Sequence, residues 1–322
     1  MTGMSVLPPA PFGRMITAMI TPFRADGALD EAGAAALAVH LVEVGNEALV
    51  VNGTTGESPT TSDVEKTRMI RVVADAVEGR ARVLAGVGTN DTAHTVELAR
   101  AAAAAGADGL LVVAPYYSKP PQAGLARHFT LVADATDLPI MIYDIPGRTG
   151  VPVESDTLLR LAEHPRIVAV KDAKDDLSAS SRVCAHSDLA YYCGTDALTL
   201  PLLAIGGCGV VSVVSHVATR AIRTMIESFA AGDAAHARAL HKALLPAFEG
   251  IFRNQGVILA KAALTAAGLP AGPVRLPLVD ATPGEVARLC ADLAAVPGLD
   301  ITLASDQLSG HRFAVLAAGE SA

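Results

Sequence analysis

The sequence predicts an α/β chain closed into a (β/α)8 (TIM) barrel, followed by a small all-helical domain. Three observations carry this. Short apolar runs alternate eight times with helical patterns. Polar and glycine-rich turns follow the runs. After Gly232 only helical spacing remains. Such alternation builds a parallel sheet, and eight units of this size close it. The expected divisions are an N-terminal arm over 1–12, the barrel over 13–232, the helical domain over 233–300 and a tail over 301–322.

Met1 to Phe12 is uncharged and proline-rich and reads as a loose arm. Met15–Ile20 is the first strand. Asp30 caps a helix whose Leu37, Leu41 and Val44 share a face. Ala48–Val51 is the second strand, and Met69, Ile70, Val73 and Val77 mark the next helix. Val83–Val87 follows, then an alanine-rich helix capped by Asn90 or Asp91. Leu110–Val113, a helix over Gln122–Thr136 and Pro139–Tyr143 continue the alternation. A helix near Asp156–Glu163 precedes the sixth strand, Ile167–Lys171. Leu189–Cys193, a short helix near Leu198–Ile205, the strand Gly209–Val214 and the helix His216–Ala231 complete the eight. Leu240, Leu244, Phe248 and Ile251 then recur at helical spacing, and Gly256–Ala267 and Pro283–Ala295 read as helices.

Composition narrows the function. Half of the 322 residues are hydrophobic and 18% are charged, below the usual quarter, so a large core can form. Net charge is −8 without a basic cluster, and tryptophan is absent; both argue against nucleic acid as a partner. Cys184, Cys193, Cys208 and Cys290 form no C-x-x-C pair and show no metal-ligand spacing. No metal or cofactor is expected. Met15–Ile20 is too short for the apolar core of a signal peptide. Ala197–Thr219 lacks Lys, Arg, Asp and Glu, but Pro201, Gly206, Gly207 and Gly209 interrupt it. A soluble, cytoplasmic protein without membrane contact is expected.

Barrel active sites lie at the C-terminal ends of the strands. Lys171 ends the run Ile167–Val170, where burial would disfavour its ammonium and free a nucleophilic amine. On that stretch alone, a lysine snorkelling into water is the commoner case. Strand two ends in Asn52-Gly53-Thr54-Thr55-Gly56-Glu57, whose backbone can turn N–H groups toward an anion; a plain turn is the bland alternative. Strand four leads to Tyr116-Tyr117. Strand five ends in Tyr143 and leads through Asp144 to Arg148, a fork for a carboxylate or an ordinary surface arginine. Strand seven ends in Gly194-Thr195-Asp196. A phosphate loop is excluded because no Gly-Lys-Ser/Thr follows, and Gly86-Val87-Gly88 is too short for a dinucleotide fingerprint. It is the set that decides. An amine, relay hydroxyls and two anion sites at one mouth point to a Schiff base with a keto acid.

These motifs carry a resemblance. Thr21-Pro22-Phe23, Gly53–Ser58, Pro115-Tyr116-Tyr117, Tyr143–Gly150, Val170-Lys171-Asp172 and Gly209–Val213 resemble those of the dihydrodipicolinate synthase / N-acetylneuraminate lyase family of class I aldolases, over about residues 13–298. The resemblance implies condensation of pyruvate with aspartate 4-semialdehyde. By it, Lys171 forms the imine, Tyr143 is the general acid and base, and Thr54 and Thr55 hold the pyruvate carboxylate. Thr54 and Tyr117 complete a proton relay, Tyr117 from a neighbouring subunit. Arg148 binds the acceptor carboxylate, and Gly194 and Val211 line the site through their carbonyls. A homotetramer, a dimer of dimers, is implied. Asp144 stands where many relatives carry asparagine. Rival activities are cleavage of a sialic acid or keto-deoxy sugar acid, and silent keto-acid binding. Arg148 argues against the first, and retention of Lys171, Tyr143, Thr54 and Tyr117 against the second. In lysine-inhibited relatives an effector site lies near Ser58, Asn90 and Tyr116. Here its acidic position reads His94 and its histidine position Lys66, so weak or no inhibition by lysine is expected.

Overall fold

A computed structural model describes residues 7–303. Eight parallel strands close in chain order, and β1 pairs with β8 through Ile16 and Val211. They are β1 (Met15–Ala18), β2 (Ala48–Val51), β3 (Arg82–Gly86), β4 (Gly109–Val113), β5 (Ile140–Asp144), β6 (Ile167–Asp172), β7 (Ala190–Cys193) and β8 (Gly209–Ser212). Nearly every strand residue is buried, because side chains alternate between the barrel lumen and the surrounding helices.

The helices are α1 (Glu31–Glu43), α2 (Asp63–Val77), α3 (Thr92–Ala104), α4 (Gln122–Asp134), α5 (Pro146–Thr149), α6 (Ser155–Leu161), α7 (Leu177–His186), α8 (Thr199–Ala204), α9 (Ser215–Ala230), α10 (Ala234–Ile251), α11 (Gly256–Ala266) and α12 (Pro283–Ala294). Asp30 caps α1 by accepting from Gly33 N–H, and Asp91, rather than Asn90, caps α3 through Ala93 N–H. Two helices were not expected from the sequence. α5 is one turn inside the loop after β5. α7 is serine-rich, so its propensity is weak; Asp176 starts it by accepting from Ala179 N–H, and Val183 packs inward.

The start of the described chain is not loose. Leu7 and Phe12 are buried, and Phe12 N–H donates to the Tyr192 hydroxyl at 3.2 Å. Phe12 thus closes the N-terminal end of the barrel, where its apolar ring gains more from burial than a free arm would. Residues 1–6 and most of the expected tail lie outside the described residues. The uncharged stretch Ala197–Thr219 is divided among α8, a glycine turn, β8 and the start of α9. Among the described residues no helix is long and apolar enough to cross a membrane. α10 packs along α9, and α11 and α12 complete the helical part.

Candidate active site

The barrel delivers Lys171 and Tyr143 side by side, since they are register partners on β6 and β5. Lys171 is 5% exposed, and its Nζ lies 4.3 Å from the centre of the Tyr143 ring. Burial pulls the Lys171 ammonium down to about 8; the Asp196 carboxylate opposes this shift and the Arg148 cation adds to it. Burial pushes the Tyr143 phenol up to about 12, while Arg148 and a hydrogen bond with Thr54 act the other way. Near neutrality the site therefore holds a lysine with an accessible free-amine form beside a protonated phenol.

The loop after β2 is folded back on itself. Gly56 N–H donates to Gly53 C=O at 3.0 Å, Glu57 N–H to Thr54 C=O at 3.1 Å, and the Thr21 hydroxyl to Gly56 C=O at 2.6 Å. Among the described residues the N–H groups of Thr54 and Thr55 find no protein acceptor, so they are free to meet an anion. Gly86 is pressed against the start of this loop and Gly88 against β4. A Cβ on Gly86 would lie 2.4 Å from Asn52 O, and one on Gly88 2.4 Å from Val113 N.

A cavity of about 490 Å³ collects Thr54, Thr55, Tyr143, Arg148, Lys171 and Gly194. Seven of the eight expected site residues are accounted for at the mouth once Tyr117 is added from an adjoining cavity of about 580 Å³, which Thr54, Tyr143 and Arg148 also line. Val211 is the eighth; it is wholly buried within β8, and Val213 is the residue from that strand end which lines the cavity. Arg148 sits on α5 and donates to the Gln255 side chain at 2.8 Å, reaching the first turn of α11. Tyr117 is 89% exposed and has a left-handed φ of 69°. That conformation costs a tyrosine about 1–2 kcal/mol.

Sequence reading placed Asp196 at the end of strand seven without a role and passed over Asp63. Asp196 is completely buried, accepts from the Ser212 hydroxyl and from Val213 N–H, and its charge acts on Lys171. Asp63 lines the outer cavity with Ser58, Lys66, Asn90, His94 and Tyr116. Its carboxylate meets His94 Nε2 at 2.9 Å and Lys66 Nζ at 4.0 Å. It restores a carboxylate beside His94, although that carboxylate already has two protein partners, the His94 ring and Lys66. Among the described residues no group of three His, Cys, Asp or Glu side chains is placed to hold a metal ion.

Fold and mouth together define a (β/α)8-barrel enzyme. Residues 11–296 match the family model of the dihydrodipicolinate synthetase family, and the chain belongs to that family. A relative from Acidothermus cellulolyticus, named 4-hydroxy-tetrahydrodipicolinate synthase, is 66% identical over 289 residues, covering 90% of this chain and 94% of the relative. The lysine-bound crystal structure of the Cyanidioschyzon merolae enzyme has a TM-score of 0.87 at 45% identity, covering 88% of this chain and 98% of its own. Another solved structure, described as the first monomeric dihydrodipicolinate synthase variant, has a TM-score of 0.85 at 36% identity, covering 88% and 97%.

Proposed function

We propose that this chain acts as a 4-hydroxy-tetrahydrodipicolinate synthase, condensing pyruvate with aspartate 4-semialdehyde. The observation that carries the reading is the buried Lys171 amine beside the protonated Tyr143 phenol, under the Arg148 cation. The free amine adds to the keto carbon of pyruvate. Tyr143 protonates the departing hydroxyl, water leaves, and an imine joins Nζ to that carbon. The Thr54 and Thr55 N–H groups hold the carboxylate. Loss of a methyl proton to the Tyr143 phenolate gives an enamine and restores the phenol, and the enamine carbon bonds to the aldehyde carbon of the acceptor. The aldehyde oxygen takes its proton from the Tyr143–Thr54 relay. Attack of the acceptor's amino group on the imine carbon closes the ring and frees Lys171. Gly194 lines the site through its carbonyl, and on the β8 side Val213 stands beside it.

Arg148 takes the acceptor's carboxylate in this reading, which favours a semialdehyde over a sugar acid. Arg148→Ala should lower kcat/KM for aspartate semialdehyde about ten- to a hundred-fold, the worth of a charge-assisted hydrogen bond, and leave pyruvate imine formation nearly intact. A panel of aldehyde acceptors, with borohydride trapping run in parallel, measures both. If a sugar aldehyde outcompetes the semialdehyde, or if both steps fall together in the variant, the assignment fails.

The enzyme works as a cytoplasmic homotetramer, a dimer of dimers, in which the partner subunit's Tyr117 completes the relay. An exposed tyrosine held in a left-handed conformation supports this, because the strain is useful only if the ring has somewhere to reach. Tyr117→Phe should lower kcat about a hundred-fold, within the usual range for a proton-transfer group, without moving the thermal midpoint. Sedimentation with activity measured on the same fractions is the companion experiment; full activity in a monomer rejects the shared site.

A further inference from the structure

Behind the reacting pair lies a buried charge cluster that touches neither cavity. Asp144 directly follows Tyr143, and Asp172 directly follows Lys171; both carboxylates are buried. Side chains alternate along a strand, so while Tyr143 and Lys171 face the mouth, these two face the helix layer. Lys174 stands between them, its Nζ 3.3 Å from Asp144 Oδ2 and 3.9 Å from Asp172 Oδ2, with 9% of its side chain exposed. The same carboxylates also hold other elements. Asp144 Oδ1 accepts from Val153 N–H at 3.1 Å, which closes the loop that carries Arg148. Asp172 Oδ1 accepts from Lys174 N–H at 2.8 Å, and its Oδ2 accepts from the Ser180 hydroxyl of α7 at 2.6 Å.

Resting on the function proposed above, we propose that Lys174 is a positioning residue: clamped between Asp144 and Asp172, it fixes the ends of β5 and β6, and with them Tyr143, Lys171 and the Arg148 loop. Two buried carboxylates repel, and a single ammonium makes their approach favourable. Burial holds the Asp144 carboxyl up at about 6 even with Lys174 and Val153 drawing it down, a sign of how much the pair depends on its cation. An asparagine at 144 would keep the bond from Val153 N–H and remove one carboxylate, and with it most of the need for Lys174.

Lys174→Met should therefore cut kcat/KM about a hundred-fold, the scale of an ångström-sized misplacement of reacting groups, with a raised KM for the acceptor and slower borohydride trapping at Lys171. Asp144→Asn should change little, and Asp144→Asn with Lys174→Met should recover most of the loss. A purely structural ion pair would instead lower the thermal midpoint and leave both kinetic readouts unmoved per folded molecule; that result overturns the proposal, as does a double variant no better than Lys174→Met. If Lys174→Met does not fold, Asp144→Ala tests the same link by freeing Val153 N–H. A higher acceptor KM with trapping kept supports the link, and an unchanged KM overturns it. Parent enzyme that forms no pyruvate adduct counts against the function, not the clamp. The clamp is then read from the rate at which Lys171 reacts with a small neutral acylating reagent, located by mass spectrometry: slower in Lys174→Met if the clamp is real, unchanged if it is not.

Discussion

Lys171→Ala is expected to abolish the pyruvate adduct trapped by borohydride and to lower turnover by about four to six orders of magnitude, the usual cost of deleting a nucleophile. The pH dependence tests the depression of its ammonium. With its ammonium near 8, roughly a tenth of Lys171 is free amine at neutral pH, whereas an ordinary lysine would offer less than about a thousandth. Trapping should therefore rise about tenfold per pH unit up to about 8 and then level off. The same shift bears on stability. Between about 8 and the ordinary lysine value the unfolded chain binds the proton and the folded one does not. Stability contributed by this group therefore rises with pH across that window, and below it the buried ammonium is a cost. Peptide mapping after reduction decides the assignment. An adduct on Lys66 or Lys174 would reject Lys171 as the nucleophile, and a midpoint near 10 would reject its depressed ammonium.

What was legible in the sequence follows from how the barrel is made. Its strands are short runs buried on both faces, so each stands out as an apolar block, and the residues at the end of each block lie at the mouth end of the barrel. That is why Lys171, Tyr143 and the Thr54-Thr55 turn could be gathered from a linear reading. What was hidden depends on distant contacts. α7 has a serine-rich sequence that forms a helix only because Val183 finds the sheet and Asp176 supplies a cap. Phe12 looks like part of a proline-rich arm until the barrel end receives it. Asp196 and Asp63 are single acids in turns, and only the fold brings one to Lys171 and the other to His94. Asp144 and Lys174 are thirty residues apart, and nothing local pairs them.

The largest stability effect should come from the link between the helical part and the Thr54-Thr55 loop. Glu57, at the end of that loop, meets Lys261 of α11 at 2.6 Å, with side-chain exposures of 1% and 3%. Lys261 also donates to Pro273 C=O at 2.8 Å, and its Nζ lies 4.3 Å from the centre of the Phe23 ring. Arg275 covers the same ring at 4.0 Å, donates its N–H to Glu57 at 2.8 Å and pairs with Glu65 of α2. Such a pair adds little over a well-packed apolar pair, but breaking it strands a charge. Lys261→Met should cost about 3–5 kcal/mol, because Glu57 keeps its burial and loses the ammonium. For a chain of this size that lowers the thermal midpoint by about 4–7 °C. Glu57→Gln with Lys261→Met removes the stranded charge and should recover more than half of the loss, which a full account in terms of lost packing would not allow. Thermal unfolding of the parent and the three variants, Glu57→Gln included, separates the two. If Lys261→Met melts with the parent, then water or a shifted backbone solvates Glu57, and the Thr54-Thr55 loop owes its shape to the Gly53–Glu57 turn alone.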